Sequence, residues 1–244
     1  NADQYGTATV TVTIEDGGQD NNLSTAADNL TSSTTFDITV SPENDAPTQN
    51  TPADITTAED AITQSVNITG ITAGPNETQV LQVTATSSDS TLIANPTVNY
   101  TSGDTSSTLH FTPIANQYGT TTVTVTVEDG GADNNLTTTE DNLTSSSTFD
   151  IVVDPVNDAP SKAANANVTI NEDAPATVAI TGINAGPNET EIVRITATSS
   201  DTTLVPDPSV NYTSGSTNGA VVFTPLTDQY GTATVTVTIE DGGL

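Results

Sequence analysis

The groups able to do chemistry in this 244-residue chain are almost all carboxylates: 31 Asp and Glu stand against two cationic side chains, Lys162 and Arg194, and a single histidine, His110. They are not scattered. They gather at Asn44-Asp45 and Asn157-Asp158, at Glu59-Asp60 and Glu172-Asp173, at Asn76-Glu77 and Asn188-Glu189, and at Glu15-Asp16, Glu128-Asp129 and Glu240-Asp241. A hard cation such as calcium takes about six to eight oxygen ligands, more than any one of these pairs supplies. Several pairs converging on one point would suffice. The plainer reading makes them turn and cap residues, since Asp-Gly and Asn-Asp are good turn formers, but it leaves their recurrence at the same joints as an accident.

Catalysis finds little to stand on. His110 has Val222 at the corresponding place further along the chain, so no His-based acid–base pair, triad or zinc site recurs. A carboxylate pair can cleave a glycoside, but it needs an aromatic-lined cleft, and the five Tyr and four Phe are expected mostly in the core.

The net charge of −29 rules out nucleic acid as a natural partner, because phosphate binding needs Lys and Arg to release counterions. An anionic membrane surface is repelled for the same reason, and no apolar run is long enough for direct membrane insertion. With no cysteine, the fold has neither disulfides nor a Cys-based metal site to hold it, and divalent cations bound by carboxylates become the expected staple. Methionine and tryptophan are absent as well, which suits an extracellular location. High charge and low hydrophobicity also suit a disordered acidic segment, but the apolar residues alternate as strands require.

The elements that must position the carboxylates come in repeats. Gln79–Gly131 aligns without a gap to Glu191–Gly243, a shift of 191 − 79 = 112 residues. Shared landmarks include Val98-Asn99-Tyr100-Thr101-Ser102-Gly103 and Val210-Asn211-Tyr212-Thr213-Ser214-Gly215. Gln4 through Pro47 matches Gln117 through Pro160, a shift of 117 − 4 = 113, and one indel between Glu-Asp and Ile-Thr-Gly accounts for the difference. With the Asn-Asp-Ala-Pro segments as joints, residues 1–45 are expected to be the C-terminal strands of one repeat. Residues 46–158 are then a complete repeat and 159–244 a third that stops before its last strand, as in a piece of a longer array.

Within a repeat, Thr122-Val123-Thr124-Val125-Thr126-Val127 puts Val on a core face and Thr on a wet one. Val10, Val12 and Ile14 repeat the pattern, as do Val235, Val237 and Ile239. Further alternating runs at Val66–Ile68, Leu81–Ala85, Val98–Tyr100, Leu109–Phe111 and Phe149–Val153, with a first strand after the joint, make about seven strands in about 112 residues, the arithmetic of a β-sandwich. Phe111, Phe149 and Tyr118, with Phe223, Phe36, Tyr5 and Tyr230, are expected to fill the inter-sheet core. Tyr118 stands where a tyrosine-corner residue would tie down a corner loop. Gly130 to Phe149 reads as a long polar loop.

The joints Pro42-Glu43-Asn44-Asp45-Ala46-Pro47 and Pro155-Val156-Asn157-Asp158-Ala159-Pro160, followed about 13 residues later by Glu-Asp and read with Glu-Asp-Gly-Gly after the Thr/Val strand, resemble the bacterial cadherin-like and immunoglobulin-like tandem repeats of very large surface proteins. The resemblance implies all-β sandwich repeats in tandem, with calcium bound between successive ones. Carried over, it places Asn157, Asp158, Glu59, Asp60 and Asp241 around an ion at the second joint, and Asn44, Asp45 and Asp129 at the first. Two departures weaken the set. The cadherin Asp-x-Asp loop is replaced by Ala73-Gly74-Pro75-Asn76-Glu77 and Ala185-Gly186-Pro187-Asn188-Glu189, and its Asp-Arg-Glu motif has no match near Asn116-Gln117-Tyr118. The function expected is a calcium-rigidified stalk or fibre segment on a cell surface, whose first partners are the neighbouring repeats of the same chain. A self-assembling filament or layer of like chains, and direct binding of a carbohydrate or partner protein as surface ligand, are the alternatives.

Overall fold

The computed structural model describes residues 3–24 and 27–243, and every regular element among them is a β-strand. Among the described residues, no helix is long and apolar enough to cross a membrane. The chain opens with a hairpin, β1 (Gly6–Glu15) and β2 (Thr31–Val40), paired antiparallel along its whole length.

Next come β3 (Ile55–Ala58), β4 (Gln64–Thr69), β5 (Leu81–Ser87), β6 (Thr97–Asn99), β7 (Ser106–Phe111), β8 (Gly119–Asp129) and β9 (Thr144–Asp154). They form two sheets, ordered β3-β9-β8-β5 and β4-β7-β6. Each strand turns alternate residues inward, so Val123, Val125, Val127, Phe149, Ile151 and Val153 of one sheet meet Val66, Ile68, Leu109 and Phe111 of the other. On the outer face Thr122 donates to Asp150 at 2.7 Å, and the Thr126 and Ser146 hydroxyls lie 2.9 Å apart.

The third stretch holds β10 (Ala176–Thr181), β11 (Arg194–Ser199), β12 (Ser209–Asn211), β13 (Asn218–Phe223) and β14 (Val235–Glu240), in sheets β10-β13-β12 and β11-β14. Ile180, Ile183, Val193, Ile195 and Val221 form its core. A cavity of about 700 Å³ lined by Val178, Phe223, Val235 and Val237 opens between these sheets. In the complete sandwich, β9 and β3 occupy the matching positions beside β8.

The structure is all-β, and the alternating runs form the strands expected of them. Two expectations change. Tyr5, Tyr118 and Tyr230 are 57%, 51% and 89% exposed, whereas Phe111 and Phe149 are buried. The tyrosines sit in turns that lead into the Thr/Val strands, outside the inter-sheet space, and the Tyr118 hydroxyl reaches the following repeat instead of its own corner. Phe36, the counterpart of Phe149, is half exposed because β1 and β2 carry only one sheet's worth of apolar face. The polar stretch after Gly130 is also shorter than it reads. Thr144–Thr148 already pair with Thr124–Glu128, since Thr and Ser suit a strand face turned partly to water.

A small device follows β5 and recurs after β11. The Asp89 carboxylate accepts from the Thr91 hydroxyl at 2.6 Å and the Thr91 amide at 2.9 Å, and Asp201 does the same with Thr203. These bonds hold both carboxyls below the usual carboxylate range, the threonine hydroxyl contributing most. A depressed folded-state value adds stability above the unfolded value and loses it as pH falls through the folded one. Replacing Asp89 by Ala should therefore lower the melting temperature at pH 6, and the gap to the parent should close as both are melted towards pH 2. In the core, Phe149→Ala should cost about 3–5 kcal/mol in denaturant unfolding of the central sandwich, against roughly 0.5 kcal/mol for Thr126→Ala on its outer face.

Candidate cation site at the joints

The second joint is a linker held from both sides. At its upstream end β3 runs parallel to β9 up to Ala58 and Asp154, and the Glu59 amide continues the ladder to the Asp154 carbonyl at 3.0 Å. This sets Glu59, 2% exposed, beside the point where the chain leaves β9 for the linker. Its Oε1 accepts from the Val156 amide at 2.7 Å. Two residues on, the Asp158 amide donates to Glu189 Oε1 of the next repeat at 2.8 Å. The Asn157 side chain donates to Asp241 Oδ1 at 3.3 Å, an oxygen that also accepts from the Gly243 amide.

The first joint repeats the downstream half. The Asp45 amide donates to the Glu77 carboxylate at 3.1 and 3.2 Å. Asn44 donates to Asp129 Oδ1 at 3.1 Å and to the Asp141 carbonyl at 3.0 Å, and it accepts from Gln79 at 2.9 Å. Asp129 is fully buried at the end of β8, and the same Oδ1 accepts from the Gly131 and Leu143 amides, closing both ends of the loop that joins β8 to β9. It therefore performs the turn-forming role that Asp-Gly-Gly suggests, and binds the linker as well. The glycines are needed: a Cβ on Gly131, at φ +62°, would stand 2.5 Å from the Asp141 carboxylate.

Glu77 and Glu189 owe their positions to the Gly-Pro-Asn-Glu turn, which bends the chain back over the linker. A Cβ on Gly74, at φ +134°, would stand 2.5 Å from Glu77 Oε2 and 3.1 Å from Asp45 Cβ, so only glycine fits between them. Each turn thus places a carboxylate against a linker amide.

Each arrangement leaves oxygens over. Glu59 Oε2, Asp129 Oδ2, Asp158 Oδ2, Glu189 Oε2 and Glu191 Oε2 are buried without a hydrogen-bond partner. Lys162 and Arg194 are the only Lys and Arg of the chain; Lys162 donates to Ala163 and Asn165, and Arg194 is paired with Glu240 on the surface. A buried anionic oxygen without a partner is costly, and this all-oxygen, all-acidic donor set suits a hard cation. Among the described residues, no group of three or more Asp, Glu or His stands closely enough, as placed, to hold a metal ion. Asp60 is exposed, while Asn44, Asp45, Asp158 and Asp241 are partly buried.

Residues 157–244 match a family described as a bacterial Ig domain. That stretch is therefore similar to a bacterial Ig domain. It contains Glu191–Gly243, to which Gln79–Gly131 of the central sandwich aligns without a gap. No curated protein matches the chain. Among solved structures, the titin domains Z1Z2 in complex with telethonin superpose at a TM-score of 0.32 with 10% identity, over 80% of this chain and 94% of that one. Domains 1–6 of the surface layer protein SbsC superpose at 0.31 with 16% identity, over 98% of this chain and 26% of theirs. An endo-fucoidan hydrolase of glycoside hydrolase family 107 superposes at 0.34 with 17% identity, over 86% of this chain and 32% of the enzyme. At such scores neither function nor assembly carries across.

Of the residues expected at the second joint of these Ig-like repeats, the structure brings Glu59, Asn157, Asp158 and Asp241 to the linker and leaves Asp60 facing solvent. At the first joint it brings Asn44, Asp45 and Asp129 together. The expected set omits Glu77, Glu189 and Glu191. Their signal was present in the sequence, as acidic residues at the same place in both copies of the Gly-Pro-Asn-Glu turn. Asp129→Ala should free both ends of the β8–β9 loop and the side-chain amide of Asn44, lowering the stability of the central repeat by on the order of 3 kcal/mol in denaturant unfolding.

Proposed function

We propose that this chain is a spacer segment of a large extracellular bacterial protein, in which calcium at the joints between Ig-like repeats stiffens the array. One observation carries the reading. Carboxylates from the repeats on either side of the second joint, Glu59 and Glu189, each bind a linker amide with one oxygen and keep the other buried and unpartnered. With Asp158 and Glu191 adding two more such oxygens, a divalent cation is the partner that the chain itself lacks. Glu59, Asn157, Asp158, Glu189 and Asp241 would hold it at the second joint, and Asn44, Asp45, Glu77 and Asp129 at the first.

A bound cation would supply charge neutralisation between repeats that otherwise repel each other, and would tie the linker to both. The acidic Thr and Asn surface then keeps the array soluble. A ligand that binds only the folded joint at 100 times its dissociation constant adds about 2.7 kcal/mol. The protein should therefore melt several degrees higher in millimolar calcium than in chelator, and Glu59→Gln with Glu189→Gln should remove most of the difference. Equal melting temperatures in calcium and chelator would overturn the calcium reading.

A further inference from the structure

The Gly-Pro-Asn-Glu turn carries a second side chain that the cation reading does not use. Asn76 and Asn188 occupy the same place in successive repeats, and both are held at left-handed backbone angles, φ +59° and +58°. Each reaches the repeat before it. The Asn76 side-chain amide donates to the Asp3 carbonyl at 2.8 Å, and that of Asn188 donates to the Asn116 carbonyl. The acceptors are equivalent as well. Asp3 and Asn116 both have φ +56° in the turn before the Thr/Val strand, and Asp228 makes the same turn in the third repeat. The left-handed conformation costs most side chains a steric clash that Asn and Asp tolerate, which explains why a short polar residue recurs there. At the second joint the Tyr118 hydroxyl lies 3.5 Å from the Asn188 carbonyl, and at the first Tyr5 lines a hollow of about 290 Å³ together with Asn76 and Glu77.

We infer that the Asn of the Gly-Pro-Asn-Glu turn is a direct latch between consecutive repeats, its partner being the left-handed turn that precedes the Thr/Val strand of the repeat before. The latch uses neutral groups, so it acts without a cation. One short turn therefore fixes each repeat at two points: Glu binds the linker, and Asn binds the body of the neighbour. Two attachments restrict rotation about the linker in a way that one cannot.

The native chain has no cysteine, so Thr84→Cys and Thr196→Cys, at exposed outer positions of β5 and β11, accept spin labels cleanly. Pulsed dipolar spectroscopy then reads the distance distribution across the second joint. Asn188→Gly is the informative variant, because glycine keeps the left-handed backbone and deletes only the side-chain bond. It should broaden the distribution in calcium and in chelator alike, with the melting temperature of the third repeat unchanged. Asn116→Gly keeps both the turn and the acceptor carbonyl and should leave the distribution as it was. Asn188→Asp, which puts an acceptor against an acceptor, should broaden it as Asn188→Gly does. A distribution unmoved by Asn188→Gly in both conditions overturns the latch. A parent distribution that is the same with and without calcium counts against the cation reading and leaves the latch standing.

Discussion

The structure of the joints rests on one interaction: a linker amide donating to a carboxylate that belongs to a neighbouring repeat. Val156 binds Glu59 and Asp158 binds Glu189, at 2.7 and 2.8 Å. An extended linker of proline, valine, asparagine and aspartate has few partners of its own for its amides, and a buried amide must find one. A charged acceptor makes the stronger bond. Because the acceptors come from opposite sides, the linker is part of both repeats, and the orientation of one repeat follows from where the other places its glutamate.

That solution creates the chain's main electrostatic problem. Bringing Glu59 and Asp129 out of water in a chain of net charge −29 leaves anionic oxygens that no Lys or Arg neutralises. At about 0.15 M salt the screening length is roughly 8 Å, so repulsion inside a joint is little screened. The proposed divalent cation would answer this, whereas the Asn76 and Asn188 bonds avoid it by using neutral groups. The two kinds of attachment thus respond differently to ions. On the proposed calcium reading, an array built from both would keep some interdomain order when calcium falls and become stiffer when it rises.

The sandwich was legible because its signal is local. Period-two Thr/Val alternation in β8 and Phe-x-Ile-x-Val in β9 fix which face is buried, and no other element competes for those residues. The joints were half legible. Asn44, Asp45, Asn157, Asp158, Glu59, Asp129 and Asp241 stand out as acidic or amide residues repeated at fixed places, but whether they meet depends on the path of the linker. Asp60 follows Glu59 in sequence yet faces water, because neighbouring residues beyond a strand end point to opposite sides. Glu189 and Asn188 were visible as residues, while their roles were not. A left-handed turn throws its side chains across the joint in a direction that no periodicity encodes. The tyrosines misled for a related reason: Tyr118 is large and precedes a core strand, but it serves the contact with the following repeat.

The amide exchange rates of Val156 and Asp158 test the account most directly, measured by NMR with amides inside β8 as the internal reference. If Glu59 and Glu189 hold the linker from both sides, both amides will exchange slowly, at rates close to those of the strand amides. Exchange at the rate of a free peptide at either position would contradict it, because the linker would then be a tether and the repeats independent beads.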